Sequence, residues 1–102
     1  MSREIIYLPE VSGDFVDAFN YYEALRVNLG QKFEAAYYRA EQEIENGLMT
    51  HRRVFEHYHR VVLKKFPYIL YYRLDGTKAV ITGLFFAKRD PTGIKESLES
   101  RT

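Results

Sequence analysis

Near residue 50 the spacing of apolar side chains changes from about 3.6 residues to about 2, so the chain divides into a helical first half and a stranded second half. In the first half, Phe15, Ala18, Phe19, Tyr22 and Leu25 fall at helical intervals, and Asn28 and Gly30 punctuate the end of that segment. Ser12 stands where an N-cap is expected, with Asp14 and Asp17 in the first turn, where the helix dipole favours anions. A second helix is expected from about Gln31 to Gly47, with Phe33, Ala36, Tyr37, Ala40, Ile44 and Leu48 on one stripe. So short a connection makes the two helices an antiparallel hairpin. Ahead of them, Glu4 to Leu8 is a short apolar run closed by Pro9, which suits a first strand that ends early.

In the second half, the period of 2 predicts a short edge strand at Val54 to Glu56, then strands at Tyr58 to Phe66, Tyr68 to Leu74 and Lys78 to Lys88. Asp75-Gly76 marks a hairpin turn between the last two, and Pro67, which has no N–H to donate, belongs between strands. Ala79 to Ala87 is apolar at odd and even positions alike, as a strand covered on both faces would be. Leaving the short edge segment out of the count, the expected class is α+β in the order β-α-α-β-β-β, with the helical hairpin packed on one face of a mostly antiparallel sheet. With 102 residues, 46% of them hydrophobic, residues 1–102 form a single domain. A chain of this size buries roughly 60 to 70% of its unfolded surface.

No cysteine is present, which excludes disulfides, thiolate catalysis and cysteine-ligated zinc, and agrees with a reducing cytoplasm. The first residues lack the pattern of a signal peptide, and the longest apolar run falls far short of the roughly 20 residues that span a bilayer. A soluble cytoplasmic protein with no membrane partner is therefore expected. The net charge of +1 conceals an asymmetry: residues 1–50 carry four basic side chains against nine acidic ones, and residues 51–90 carry nine against three. Such a division suits a face turned to a polyanion or an acidic partner, and equally an acidic helical layer neutralising a basic sheet. Arg60, Lys64, Lys65, Arg73, Lys88 and Arg89 interleave with Tyr68, Tyr71 and Tyr72, as a nucleic-acid surface would, while core tyrosines flanked by snorkelling cations give the same pattern.

His51, His57 and His59 all lie in the basic part. In an extended segment His57 and His59 share a face, the spacing of an acid/base pair, and equally that of exposed polar residues at the start of a strand. No further ligands accompany them, so no metal or other cofactor is expected.

The element order, Phe66-Pro67-Tyr68-Ile69-Leu70-Tyr71-Tyr72 and the Lys88-Arg89-Asp90-Pro91 exit from the last strand together resemble the RelE/ParE family of toxins from toxin-antitoxin modules. The first segment is similar to the family's FPY-x-x-x-Y strand and the second to its R-D-P close. The tail departs from the pattern, with Ile94 and Ser97 where relatives have Trp and Arg. The resemblance implies two alternative chemistries: RelE-like members cleave messenger RNA on the ribosome, and ParE-like members poison DNA gyrase without hydrolysing anything. RelE-like toxins place an arginine after the tyrosine of the third strand, another at the end of the last strand, and a tyrosine or histidine near the C terminus. Here Ile69 stands in the first place, Arg89 fits the second, and neither Tyr nor His follows Tyr72.

The resemblance therefore implies a ParE-like, plasmid-stabilising type of toxin with no catalytic residue, whose partners are a cognate antitoxin and gyrase. The alternatives are a metal-independent endonuclease using Arg89 on the ribosome and messenger RNA, or a non-toxic antitoxin-binding scaffold. Arg60, Lys64, Lys65, Arg73, Lys88 and Arg89 are the expected target- or antitoxin-contacting residues, with Arg89 at the sheet's rim and Lys88 on the opposite side. A homodimer or a toxin-antitoxin hetero-oligomer is the expected assembly.

Overall fold

The computed structural model describes residues 2–47 and 51–101. Its elements run β1 (Glu4–Tyr7), α1 (Glu10–Leu25), α2 (Leu29–Asn46), β2 (Arg53–Val54), β3 (Tyr58–Val62), β4 (Tyr68–Asp75), β5 (Lys78–Phe86) and α3 (Pro91–Arg101). The strands form one sheet in the order β1-β5-β4-β3-β2, with β1 parallel to β5 and every other pair antiparallel. This is the expected α+β arrangement with a third helix added at its C-terminal end. Leu48, placed on the stripe of the second helix from its spacing, lies outside the described residues.

Several boundaries differ from those expected, each for a local reason. Helix α1 begins at Glu10, not after Ser12, because Pro9 (φ −56°) already has a helical backbone, and no side chain caps the end. The short β2 stops at Val54 because Phe55 and Glu56 both take left-handed backbone angles (φ 51° and 69°), which no strand tolerates. Strand β3 ends at Val62, and Lys65 (φ 69°) and Pro67 turn the chain into β4. Strand β5 ends at Phe86, whose carbonyl accepts the Arg89 N–H in a turn. The β4–β5 hairpin turns where expected, at Gly76 (φ 62°).

The sheet is covered on both faces. On one, α1 and α2 lay Val11, Ala18, Phe33, Tyr37, Ala40 and Ile44 over Leu70, Tyr72, Ala79, Ile81 and Leu84. On the other, Ile94 and Leu98 of α3 pack on Tyr58, Ile69, Tyr71 and Phe85. Two covers explain why β5 is buried from Ala79 to Phe85. A bulge divides that strand: Tyr71 faces Gly83 and Tyr72 faces Ile81, which leaves Thr82 unpaired in the register. Before the bulge Ala79 and Ile81 point at the hairpin; after it, Leu84 does. The Thr82 hydroxyl, fully buried, donates to the Tyr71 carbonyl at 3.1 Å.

The most distant tie in sequence joins α1, β5 and α3. Leu8 donates its N–H to Ile81 as β1 ends, and beyond that point β5 has no neighbouring strand on that side. Two side chains take the missing strand's place. Asp14 accepts the Leu84 N–H at 3.1 Å, and Arg101 Nη1 donates to the Thr82 carbonyl at 3.1 Å. They are bound to each other through two hydrogen bonds of 2.6 and 2.9 Å, with both side chains at least 85% removed from solvent. Gly83 makes room for this: a Cβ there would lie 2.5 Å from the Phe85 ring and 3.2 Å from Arg101 Nη1.

Removing one partner leaves a buried charge and an open backbone group. Asp14→Ala and Arg101→Ala are therefore each expected to lower unfolding stability by about 3 kcal/mol in urea denaturation, with the double substitution costing clearly less than the sum. Strictly additive losses would show that the two side chains act separately.

Candidate functional site

The structure separates the six sequence-derived cations into three places. Lys64 and Lys65 occupy the exposed turn between β3 and β4, which is held by the Leu63 N–H to the Tyr68 carbonyl and the Tyr68 N–H to the Phe66 carbonyl. There they meet Arg26 from the end of α1 and Lys32 and Arg39 from α2, around a hollow of about 450 Å³ floored by Leu29, Ala35, Ala36 and Phe66. Among the described residues, five cations line it and no carboxylate does. Arg26, Lys32 and Arg39 went unmarked in the sequence because they lie in its acidic half. The signal for two of them was their spacing, since residues seven apart share one face of a helix.

Arg60 and Arg73 lie on the opposite face of the sheet, the one that α3 partly covers. Arg60 opposes Tyr71 across the β3–β4 pair, and Arg73 follows Tyr71 by two residues on the same face. The Arg73 Nε is buried and has no hydrogen-bond partner among the described residues. Burial raises the Tyr71 hydroxyl's pKa, and the charge of Arg60 acts against that rise.

Lys88 and Arg89 are exposed in the turn from β5 into α3. Lys88 does not face the other side of the sheet, because the strand has already ended; both residues belong to the same turn. The Arg89 guanidinium lies 4.8 Å from the centre of the Phe85 ring and donates to Ser97 Oγ at 3.1 Å. Arg101 reaches the same ring at 4.9 Å, so Phe85 holds two guanidinium groups. Arg89 sits beyond the end of β5 that pairs with Tyr68, and Arg73 near the other end of β4, so the two form no single cluster.

The tyrosines expected between the cations are core residues. Tyr71 and Tyr72 are 3% and 1% exposed, which leaves no ring face for a base to stack on. Tyr68 is half-buried among Tyr22, Phe33 and Phe86.

The histidines also separate. His51 is buried between the Tyr72 hydroxyl, 2.7 Å from Nδ1, and Glu43, 3.4 Å from Nε2. An ionised carboxylate only accepts, so a neutral His51 carries its proton on Nε2 and Nδ1 accepts from Tyr72. His59 Nδ1 donates to the His51 carbonyl at 3.1 Å, and its ring stacks on Tyr72 with centroids 5.2 Å apart. His57 stands in the turn before β3, exposed, with Glu56 at 3.8 Å. His57 and His59 therefore share no face, because the segment before Tyr58 is a turn and not a strand.

No helix among the described residues is long and apolar enough to cross a membrane. No family model and no curated protein matches the sequence. Among solved structures, a chain described as "Chromosomal ParDE TA system from P. aeruginosa" superposes with a TM-score of 0.71 at 11% sequence identity, covering 85% of this chain and 98% of that one. The fold is ParE-like. At that identity the likeness is one of backbone arrangement alone.

Tyr72→Phe strands a buried His51 nitrogen and is expected to cost about 1 to 3 kcal/mol of stability, whereas His57→Ala stays within about 0.5 kcal/mol of the parent. Thermal or urea unfolding of the two variants reads this directly; equal losses would contradict the separation of the histidines.

Proposed function

We propose that this chain is the growth-arresting toxin of a type II toxin-antitoxin module, that it acts by binding and inhibiting DNA gyrase, and that a cognate antitoxin neutralises it. The observation that supports this most is the superposition on a chain of the ParDE system over 85% of this chain and 98% of that one. It agrees with the FPY and R-D-P segments, which border β4 and leave β5.

Binding is favoured over hydrolysis by where the candidate groups lie. RNA cleavage without a metal needs an acid, a base and cations gathered around one phosphate. Here His59 stacks on Tyr72 on the hairpin side, His57 is in an outlying turn, and Arg89 lies on Phe85 on the α3 side. The hollow of five cations with an apolar floor suits an acidic amphipathic segment, the chemistry expected of an antitoxin tail that folds as it binds. Arg89, exposed with its guanidinium over Phe85 and bonded to Ser97, suits the target.

Expression of the chain alone is expected to arrest bacterial growth with replication halted and messenger RNA intact, and the protein encoded beside it to restore growth. New cuts in translated transcripts would replace the gyrase mechanism with the endonuclease one, and normal growth at confirmed soluble expression would leave a non-toxic scaffold. Arg89→Ala is expected to relieve toxicity with stability changed by less than about 1 kcal/mol. Lys64→Glu with Lys65→Glu is expected to keep toxicity and weaken antitoxin binding by at least about tenfold. Retained toxicity of Arg89→Ala would remove that residue from the target surface.

A further inference from the structure

A second hollow, of about 380 Å³, lies between the end of β1, the first turn of α1 and the middle of α2, and its chemistry is opposite to that of the basic one. Its charged group is the carboxylate of Glu41, which no lysine, arginine or histidine pairs with among the described residues. The hydroxyls of Tyr7, from β1, and Tyr37, from α2, are directed at that carboxylate. Two donors leave further lone pairs of the carboxylate free to accept.

The walls are aromatic and apolar: Phe15 and Tyr37 meet with ring centroids 4.9 Å apart, Tyr38 stands 5.8 Å from Tyr37, and Leu8 and Pro9 close the near side. Tyr7 and Tyr38 are about half exposed and form the rim. Burial raises the pKa of Glu41, and burial together with the carboxylate raises those of Tyr7 and Tyr37. The cluster as it stands lacks a positive charge.

We propose that this hollow is a binding site for a guanidinium group, and that its occupant is an arginine side chain of a partner polypeptide. A half-buried carboxylate among aromatic faces is the arrangement that recognises a cation. A planar guanidinium satisfies it better than an ammonium, because it stacks on a ring while donating two parallel hydrogen bonds to one carboxylate. A polypeptide source follows from position. Strand β1 is outermost in the sheet and ends at the rim residue Tyr7, so a segment lying along that edge carries its side chains to the mouth of the hollow. This site shares no residue with the basic hollow and does not rest on the toxin assignment.

The test is a titration of the isotope-labelled full chain, followed by NMR, with the capped tripeptide Ala-Arg-Ala, the same peptide with citrulline in place of arginine, and free spermidine. Shifts are expected to concentrate on Tyr7, Tyr37, Tyr38 and Glu41, with the citrulline peptide binding at least about tenfold more weakly because it keeps the shape and loses the charge. Glu41→Gln is expected to weaken the arginine peptide by about the same factor, and Tyr38→Ala, at the exposed rim, by several-fold. Equal binding of the citrulline peptide, unchanged affinity in Glu41→Gln, or no shift at these residues overturns the site. Tighter binding of spermidine than of the arginine peptide overturns the polypeptide occupant. Should Glu41→Gln fail to fold, the citrulline comparison and Tyr38→Ala decide the matter alone.

Discussion

The bidentate pair between Asp14 and Arg101 is the interaction on which the remaining architecture depends. Pro9 forces β1 to end early, which leaves β5 with unmatched backbone groups where the parallel partner runs out. A carboxylate and a guanidinium supply the acceptor and the donor that another strand would have offered. Because one comes from α1 and the other from α3, the same contact fixes a helix to each face of the sheet. The charges are not isolated, since each satisfies the other and a backbone group besides, and the Phe85 ring lies under the guanidinium.

That anchoring determines which surfaces stay open. The hairpin face carries two hollows of opposite character, one ringed by cations at the β3–β4 turn and one holding Glu41 among tyrosines beside β1. The α3 face carries Arg60 and Arg73 near one another on β3 and β4, with Arg89 apart from them beyond the end of β5. The acidic and basic halves of the sequence therefore do not form two opposed sides. Arg26, Lys32 and Arg39 come from the acidic half and join Lys64 and Lys65, so folding mixes the halves in one place.

Much of the architecture was legible because it follows from local chemistry. Period, Asp75-Gly76 and Pro67 identify the strands, and the apolar run of β5 announces two covers, although nothing said that the second cover would be the chain's own C-terminal residues. Helix α3 is faint in the sequence because its residues are mostly polar: only Ile94 and Leu98, four apart behind Pro91, mark it. The bulge at Thr82 is equally silent, since it shows only as a change in which side a residue faces relative to β4. The sites were the least legible part. Cations that meet across α1, α2 and the β3–β4 turn share no motif, and the Glu41 hollow joins residues 7 and 41, whose proximity only the packing of β1 on α2 creates.

The tie between Asp14 and Arg101 spans 87 positions of the chain. During synthesis the helical hairpin and the sheet emerge first, and the unmatched stretch of β5 remains uncovered until residue 101 has left the ribosome. Until then the nascent chain has its hairpin and sheet yet still carries a partly open strand edge, the kind of surface on which chains pair wrongly. Without residue 101 the chain has most of its core, while the Thr82 carbonyl at the edge has lost its guanidinium donor. The last turn of α3 thus closes an edge that the strands by themselves leave open.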